Sequence, residues 1–362
     1  QHGIMPAMNA SKDVLVILSP VSEPRLRGIA QYAKEHGWHL LIQDRIGQKI
    51  ESWRADGVLA TVRAGTPIPA QIRKLRAEGI PAVDLTIEVP SLKIARVTSD
   101  HRAIGRLAAE HFEEHHFTNR AWYSNGWSPV HQIRYEGFAE NRPAAKWIGK
   151  APVEHSPKPF AVLTYNETDA ALLLRKCLAL GIAVPEEVSI LSIGNDPLLS
   201  GMQPVEISSI DQDLERGGYE AAAVLDRLMA HSKLPKPSTV LIPPKGIATR
   251  QSTDTLGIDN ETVRNAVLFI RTNLGRPIGA DQVADAVGCT RSQIDKLFAS
   301  ELGHSIGTEI LRQRLSHVKI LLKNTDLPAS LIAKKTGFCT PSHLNNIFKK
   351  MTGVTPRAWR LK

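Results

Sequence analysis

The stretch "LPASLIAKKTGFCTPSHLNNIF" (residues 327–348) decides how the C-terminal part of the chain is read. Leu344, Ile347 and Phe348 recur at helical spacing, with Asn345, Asn346 and Lys349 on the other face of the same helix. Thr340 is placed to cap that helix, and Gly337 supplies the positive φ of a turn at Thr336-Gly337-Phe338, after a first helix that starts near Pro328. Upstream, "IGADQVADAVGCTRSQIDKLF" (278–298) repeats the arrangement. A helix from about Ala280 to Ala286 leads into a turn at Val287-Gly288-Cys289 and a second helix capped by Thr290. Ile294, Leu297 and Phe298 map onto Leu344, Ile347 and Phe348 with a constant offset of 50. Two helices joined by a short Gly-containing turn form a helix-turn-helix unit, so the sequence predicts a pair of them.

With those apolar triplets turned inward, the outward positions are Arg291, Ser292, Asp295 and Lys296 in the first unit. In the second they are Pro341, Ser342, Asn345, Asn346 and Lys349. Arg and Lys suit guanine edges and Asn suits adenine in the major groove, while flanking basic residues can contact phosphates. The competing reading of each position is a plain solvent-facing helix residue. The repetition favours the paired reading. Between the units "TEILRQRLSHVKILLKNT" has Ile310, Leu311, Leu315, Val318, Leu321 and Leu322 on an apolar face. A helix of about 18 residues spans roughly 27 Å, enough to hold two recognition helices about one DNA turn, roughly 34 Å, apart.

Charge is distributed accordingly. Residues 259 to 362 carry 16 Lys+Arg against 8 Asp+Glu, whereas residues 1 to 258 carry 29 against 28. Nearly all the excess of +9 therefore falls in the module that would meet a polyanion. A length of 362 residues implies two or three domains, and no apolar run reaches the length of a membrane span. The start "QHGIMPAMNA" lacks the pattern of a secretory leader and reads as a remnant before a start at Met5 or Met8, so a cytoplasmic location is expected. Cys177, Cys289 and Cys339 are scattered without a CxxC pair, which argues against a disulfide framework or a zinc ribbon and reads as buried small hydrophobes.

The first 250 residues alternate β-branched runs with helical patterns. Strands are expected at 13–19, 38–43, 57–62, 81–86, 93–99, 120–125, 160–166, 188–194, 207–211 and 239–242. This much βα repetition predicts an α/β domain of two doubly wound lobes at 11–250, followed by a linker at 251–259 and an all-α domain at 260–362. Lobe 1 is expected over about 11–126 and 213–232, lobe 2 over about 127–211 and 238–250. Ligands of open α/β sheets bind beyond the carboxyl ends of the strands. Ser19, Asp100, Trp127, Arg134, Asn166, Asn195 and Gln212 are candidates there. Asp, Asn and Arg can grip vicinal hydroxyls, and Trp127 can stack on a sugar ring. The alternatives are an N-cap for Asp100, a contact between lobes for Trp127 and helix caps for the others.

Two motifs mislead. "GHSIG" (303–307) satisfies the nucleophile-elbow pattern, but a helix precedes it, and Ser305 is better placed to cap the long connecting helix. "HFEEH" (111–115) satisfies a zinc-peptidase pattern, but it lies on a helix whose core stripe is Ile104, Leu107, Ala108 and Phe112. No G-x-G-x-x-G follows the first strand and no Walker A sequence occurs, so nucleotide readings have no support. No catalytic residue, metal or cofactor is expected.

On "GHS", "RQRLSHVKILL", "IAKKTGF" and "GVTPRAWR", residues 260–362 resemble the DNA-binding domain of AraC/XylS-type transcription regulators. That resemblance implies base-facing roles for positions 292, 295, 296, 341, 342, 345 and 346. On "VTSDHRAIGRLAAEHF", "RYEGF", "GIAVPEEVSILSIGND" and "SSIDQDLERGGYEAA", residues 13–250 resemble the effector domain of LacI/GalR-type repressors, itself similar to periplasmic sugar-binding proteins. The combination resembles regulators of the xylose-operon type. It implies a homodimer that senses a sugar, binds double-stranded DNA and works with RNA polymerase to activate a sugar-catabolic operon, without a membrane. The rival is a solute-binding protein of a transport system. By resemblance, Asp100, Arg134, Asn166 and Gln212 match ligand-contacting positions. The chain departs from the pattern at Asn166-Glu167 and Gly194-Asn195, where the family has Asn-Asp and then Asp-Asn or Asp-Asp. It is also short between Gly137 and Phe160, where a further strand and helix are expected.

Overall fold

A computed structural model describes residues 11–43, 55–230 and 238–360; the expected leaderless start at 1–10 and the end of lobe 1 at 231–232 lie outside them. The chain divides into two compact units. The first holds residues 11–110, 120–157 and 161–254 of the described chain; the second holds 111–119, 158–160 and 255–360.

The first unit contains two six-stranded sheets. Its chain runs β1 (Lys12–Ile17), α1 (Glu23–His36), β2 (Trp38–Gln43), β3 (Gly57–Ala60), α2 (Ile68–Ala77), β4 (Ala82–Asp84), β5 (Ala95–Ser99) and α3 (His101–Glu114). It continues through β6 (Asn119–Ser124), α4 (Pro129–Ala139), β7 (Ala145–Ile148), β8 (Phe160–Thr164), α5 (Glu167–Ala179), β9 (Val188–Gly194) and α6 (Pro197–Gly201). It closes with β10 (Ser208–Asp211), α7 (Leu214–Ala230), β11 (Thr239–Ile242) and β12 (Gly246–Ala248). The sheet orders are β11-β5-β4-β3-β1-β2 and β12-β10-β9-β8-β6-β7, the same winding twice. Every residue of β3 and β8 is buried, as an apolar run covered on both faces by helices requires.

The lobes exchange elements differently from the expected boundaries. Strand β6 (Asn119–Ser124), expected in lobe 1, belongs to the second sheet, where it pairs with β7. Strand β11, expected in lobe 2, pairs parallel with β5 of the first sheet, and the Asp100 N–H donates to the Ile242 carbonyl (2.7 Å) at its end. The segment after Gly137 keeps its strand as β7, and only a three-residue 3-10 turn at Val153–His155 follows in place of a helix, so the second sheet is complete. Strand β12 was not legible, being three half-buried residues without alternation.

Both lobes use the same helix crossing. A Cβ at Gly28 of α1 would stand 1.9 Å from the Glu215 carbonyl oxygen on α7, and one at Gly218 2.1 Å from that of Arg25. In the other lobe a Cβ at Gly105 of α3 would stand 2.1 Å from the Arg134 carbonyl oxygen on α4, and one at Gly137 2.2 Å from that of Arg102. Backbones touch at both crossings because neither side carries a Cβ.

The expected linker at 251–259 is packed at both ends. Ser252 Oγ donates to the Ile190 carbonyl and accepts the Ser208 N–H in the first unit, whereas Leu256 and Ile258 are buried in the core of the second. The second unit is helical: α8 (Glu261–Thr272), α9 (Ala280–Ala286), α10 (Arg291–Leu302), α11 (Ile306–Asn324), α12 (Ala329–Lys335), α13 (Pro341–Thr352) and α14 (Pro356–Arg360). It holds two cores. Val283, Ile294 and Phe298 pack with α8 and with Ile306 and Ile310 of α11. Ile332, Leu344 and Phe348 pack with Leu315, Val318 and Leu322 farther along α11. One helix of 19 residues, about 28 Å long, therefore serves both helix-turn-helix units.

Candidate nucleic-acid interface and ligand cleft

Each recognition helix starts as its sequence dictates. Thr290 accepts the Gln293 N–H (3.3 Å), and Thr340 accepts the His343 N–H (3.1 Å), while Gly288 and Gly337 hold φ near 70° in the turns before them. Ser305 caps α11 by accepting the Thr308 N–H (3.3 Å), which accounts for "GHSIG" without a nucleophile. On α10, Arg291, Ser292 and Lys296 are exposed and Asp295 is half-buried; on α13, Pro341, Ser342, Asn345, Asn346 and Lys349 are all exposed. Arg291 is not free: it donates to Asp295 (2.7 Å) and Asp281 (3.0 Å). Asp295 therefore holds Arg291 along the helix.

Of the histidines of "HFEEH", His111 is buried with its Nε2 lacking a hydrogen-bond partner, and no metal-ligating cluster of three forms among the described residues. His115 meets the His111 carbonyl through Nδ1 (2.8 Å) and Arg271 through Nε2 (3.0 Å), and burial, then Arg271, pushes it down to about 4. Of the cysteines, Cys177 is buried, Cys289 half-buried and Cys339 exposed, so the expectation of three buried thiols holds for one.

In the first unit a cleft of about 1210 Å³ opens where the loops after β1, β3, β4, β5, β8, β9 and β10 converge. That volume exceeds the upper end of ordinary small-ligand sites, roughly 1,000 Å³, as an open cleft does. Ser19, Arg134, Asn166, Asn195 and Gln212 line it; Asp100 and Trp127 do not. Asp100 caps α3 by accepting the Ala103 N–H (2.9 Å). Trp127 packs on Trp122, His131 and Tyr135, with Lys146 over its ring at 4.5 Å.

Arg134 is the centre of the second lobe's wall. It is 5% exposed and donates to His101 Nδ1 (3.3 Å), the Tyr165 carbonyl (3.2 Å) and Gln212 Oε1 (2.5 Å), with Tyr165 also beneath it at 4.9 Å. All of these partners are neutral. Burial, and then the Arg134 charge, pushes His101 well below its ordinary range and His131 down to about 4. Both imidazoles are therefore neutral at pH 7, and His101 can accept from Arg134.

Other predicted residues are committed to structure. Asn166 Oδ1 caps α5 by accepting the Asp169 N–H (2.8 Å), while Asn195 donates to Asp211 (3.2 Å) and accepts from Arg250 (2.8 Å). The departures at 167 and 194 compensate one another. The Glu167 carboxylate lies 2.2 Å from where a Gly194 Cβ would stand, and it accepts the Asp196 N–H (3.0 Å). A longer acid at 167 thus occupies the space vacated by the missing side chain at 194.

Sequence reasoning passed over Arg25, Arg63 and His101, all of which line the cleft. A signal existed for the first. "RLRG" (25–28) on α1 and "RYEG" (134–137) on α4 place an arginine three residues before a crossing glycine in each lobe.

Comparison with known proteins agrees with both halves. Residues 93–253 match the family described as a periplasmic binding protein-like domain, and residues 283–362 match that described as a helix-turn-helix domain. The chain is 27% identical to the xylose operon regulatory protein of Escherichia coli (strain K12) over 377 residues, 92% of each chain. It is 24% identical to the protein of that name from Haemophilus influenzae over 372 residues, 93% of this chain and 94% of the other. A solved structure described as a xylose-binding transcription activator covers 97% of this chain and 98% of its own at a TM-score of 0.58 and 23% identity.

Proposed function

We propose, from the premise that this chain is a transcription regulator joining a periplasmic-binding-protein-like sensory domain to an AraC-type helix-turn-helix domain, that it reads DNA through α10 and α13 and answers to a sugar-class effector held in the cleft. The observation that carries this reading is the repeated unit: two capped recognition helices, each on its own core, share the rod α11. On α13, Asn345 and Asn346 are the adenine readers and Lys349 a phosphate contact; on α10, Ser292 and Lys296 face bases, with Arg291 and Asp295 acting as a pair.

In the sensory domain Arg134, Asn166 and Gln212 are the ligand-contacting residues, with xylose the first sugar to test on the strength of the relatives' names. Asp100 contributes by fixing the start of α3, and Trp127 by supporting α4. Ligand binding favours one arrangement of the sensory domain and biases the DNA-bound state by its differential affinity. The regulator acts in the cytoplasm as a homodimer, engages RNA polymerase, and works by binding rather than by catalysis.

The test is fluorescence anisotropy of the full chain on fragments from upstream of its own and neighbouring coding sequences. Expected is binding that prefers one fragment and weakens steeply with salt, as neutralised phosphates release counterions. Binding indifferent to both sequence and salt would sink the proposal.

A further inference from the structure

The geometry points to an anionic effector: the cleft is built to hold a polyol that carries a carboxylate or phosphate, clamped between Arg25 of the first lobe and Arg134 of the second, with Arg63 beside them. This inference rests on the sensory reading above and narrows its ligand.

The two clamp residues are counterparts. Strands β1 and β6 occupy the same place in their sheets, α1 and α4 follow them, and each arginine stands three residues before a glycine at which the helix touches its neighbour. The carbonyl oxygens of both arginines sit against the opposing glycine, so their backbones are fixed by the crossings. The side chains of both line the one cleft. Backbone fixed in this way orients a guanidinium fork, and a planar fork binds a carboxylate or phosphate with two parallel hydrogen bonds.

The positive charge is only partly compensated: Asp84 acts on Arg25, Glu88 pairs with Arg63 and Glu167 acts on Arg134, none of them through a close hydrogen bond. Arg25 makes no hydrogen bond or ion pair with any described residue, and Arg134 is bonded to neutral groups alone. Arg63 Nε is buried without a hydrogen-bond partner and makes a long ion pair with Glu88 at 4.0 Å. Burial lowers Arg25 to about 10; Asp84 opposes that fall, while Arg63 and Arg134 add to it. Most acids of the cleft are occupied elsewhere, Glu88 beside Arg63 and Asp213 being the exceptions. Glu23 and Glu215 grip Arg27, Glu167 and Asp196 accept backbone N–H groups, and Asp211 accepts from Asn195. Asp84 is bound to Arg96 at 3.1 Å. Asp213, which lines the same cleft, is left without a side-chain partner among the described residues. Like charges gathered in a partly buried cleft cost free energy that a bound oxyanion returns. A neutral sugar would leave that cost in place.

Isothermal titration of the full chain settles it, with D-xylose against D-xylonate and D-xylose 5-phosphate, D-glucose against D-gluconate and D-glucose 6-phosphate, and inorganic phosphate alone. Expected is binding of an acid or a phosphate ester at least about tenfold tighter than its neutral parent, one charge-assisted contact's worth. The carboxylate and ester arms identify which oxyanion is native. Arg63→Gln and Arg25→Met should each erase that preference, Arg25→Lys should retain part of it, and unliganded Arg63→Gln should melt no lower than the parent. A neutral sugar that binds as tightly as its acid overturns the anionic effector and leaves a sugar sensor standing. Failure of every probe, neutral and charged, overturns both. A fall of several degrees in the melting temperature of Arg63→Gln assigns Arg63 to holding the fold and removes it from the clamp.

Discussion

Gly105→Ala tests the helix crossing that fixes Arg134. The added Cβ would lie 2.1 Å from the Arg134 carbonyl oxygen and 2.6 Å from the Phe138 nitrogen, both backbone atoms, where ordinary contact begins at 3.4 Å. Relief requires α3 and α4 to part by roughly 1 Å, since backbone cannot rotate out of the way as a side chain can. Overpacking of this kind costs about 1–3 kcal/mol, and the better helix propensity of Ala returns at most about 1 kcal/mol of it. For a domain of this size each kcal/mol moves the melting temperature by about 2–4 °C. A drop of several degrees is expected, together with weaker effector binding as Arg134 shifts from Gln212 and His101. Gly126→Ala is the control, since nothing lies within 4 Å of its Cβ position and its φ is not positive. If Gly105→Ala melts like Gly126→Ala, the crossing is not a tight contact and the positioning argument fails.

Acid should destabilise the protein in a definite window. His115 and His131 fall to about 4 from an ordinary 6.5 in the folded chain, so the unfolded chain binds more protons between those values, and stability present above pH 6.5 is lost as pH falls toward 4. Each contributes about 1.4 kcal/mol per pH unit there, and denaturant midpoints flat from pH 7 to pH 4.5 would contradict it. Phe348→Ala should cost about 3–5 kcal/mol and raise hydrogen exchange across α12 and α13 while sparing α9 and α10, because the two units have separate cores; equal loss in both would refute that separation. Asp281→Ala combined with Asp295→Ala should strengthen DNA binding by releasing Arg291 from both its acids; unchanged affinity would take Arg291 off the DNA face.

The helix-turn-helix pair was legible almost residue by residue. Caps, Gly turns and an apolar triplet are local devices, and the α9 bounds Ala280–Ala286 and the caps Thr290, Thr340 and Ser305 follow from them directly. Most strand positions were legible too, because β2, β9 and β11 are bounded by turn residues, whereas β7 and β12 were not placed. Lobe membership was not, since β6 and β11 are assigned by pairing partners far off in sequence rather than by their own composition. The ligand site was half legible. Arg134 and Gln212 were legible through the family resemblance, but whether Asp100 serves a ligand or a cap depends on where its side chain points. Arg25 and Arg63 became visible once the fold set α1 opposite α4 across the cleft.

Footprinting the full chain on its preferred fragment, with and without the bound effector, shows whether a paired DNA reader is governed by the cleft. Protection is expected in two successive major grooves about 10.5 base pairs apart, with an effector-dependent change in affinity that Arg134→Met abolishes. Protection confined to one groove, or an effector response that survives Arg134→Met, would contradict it.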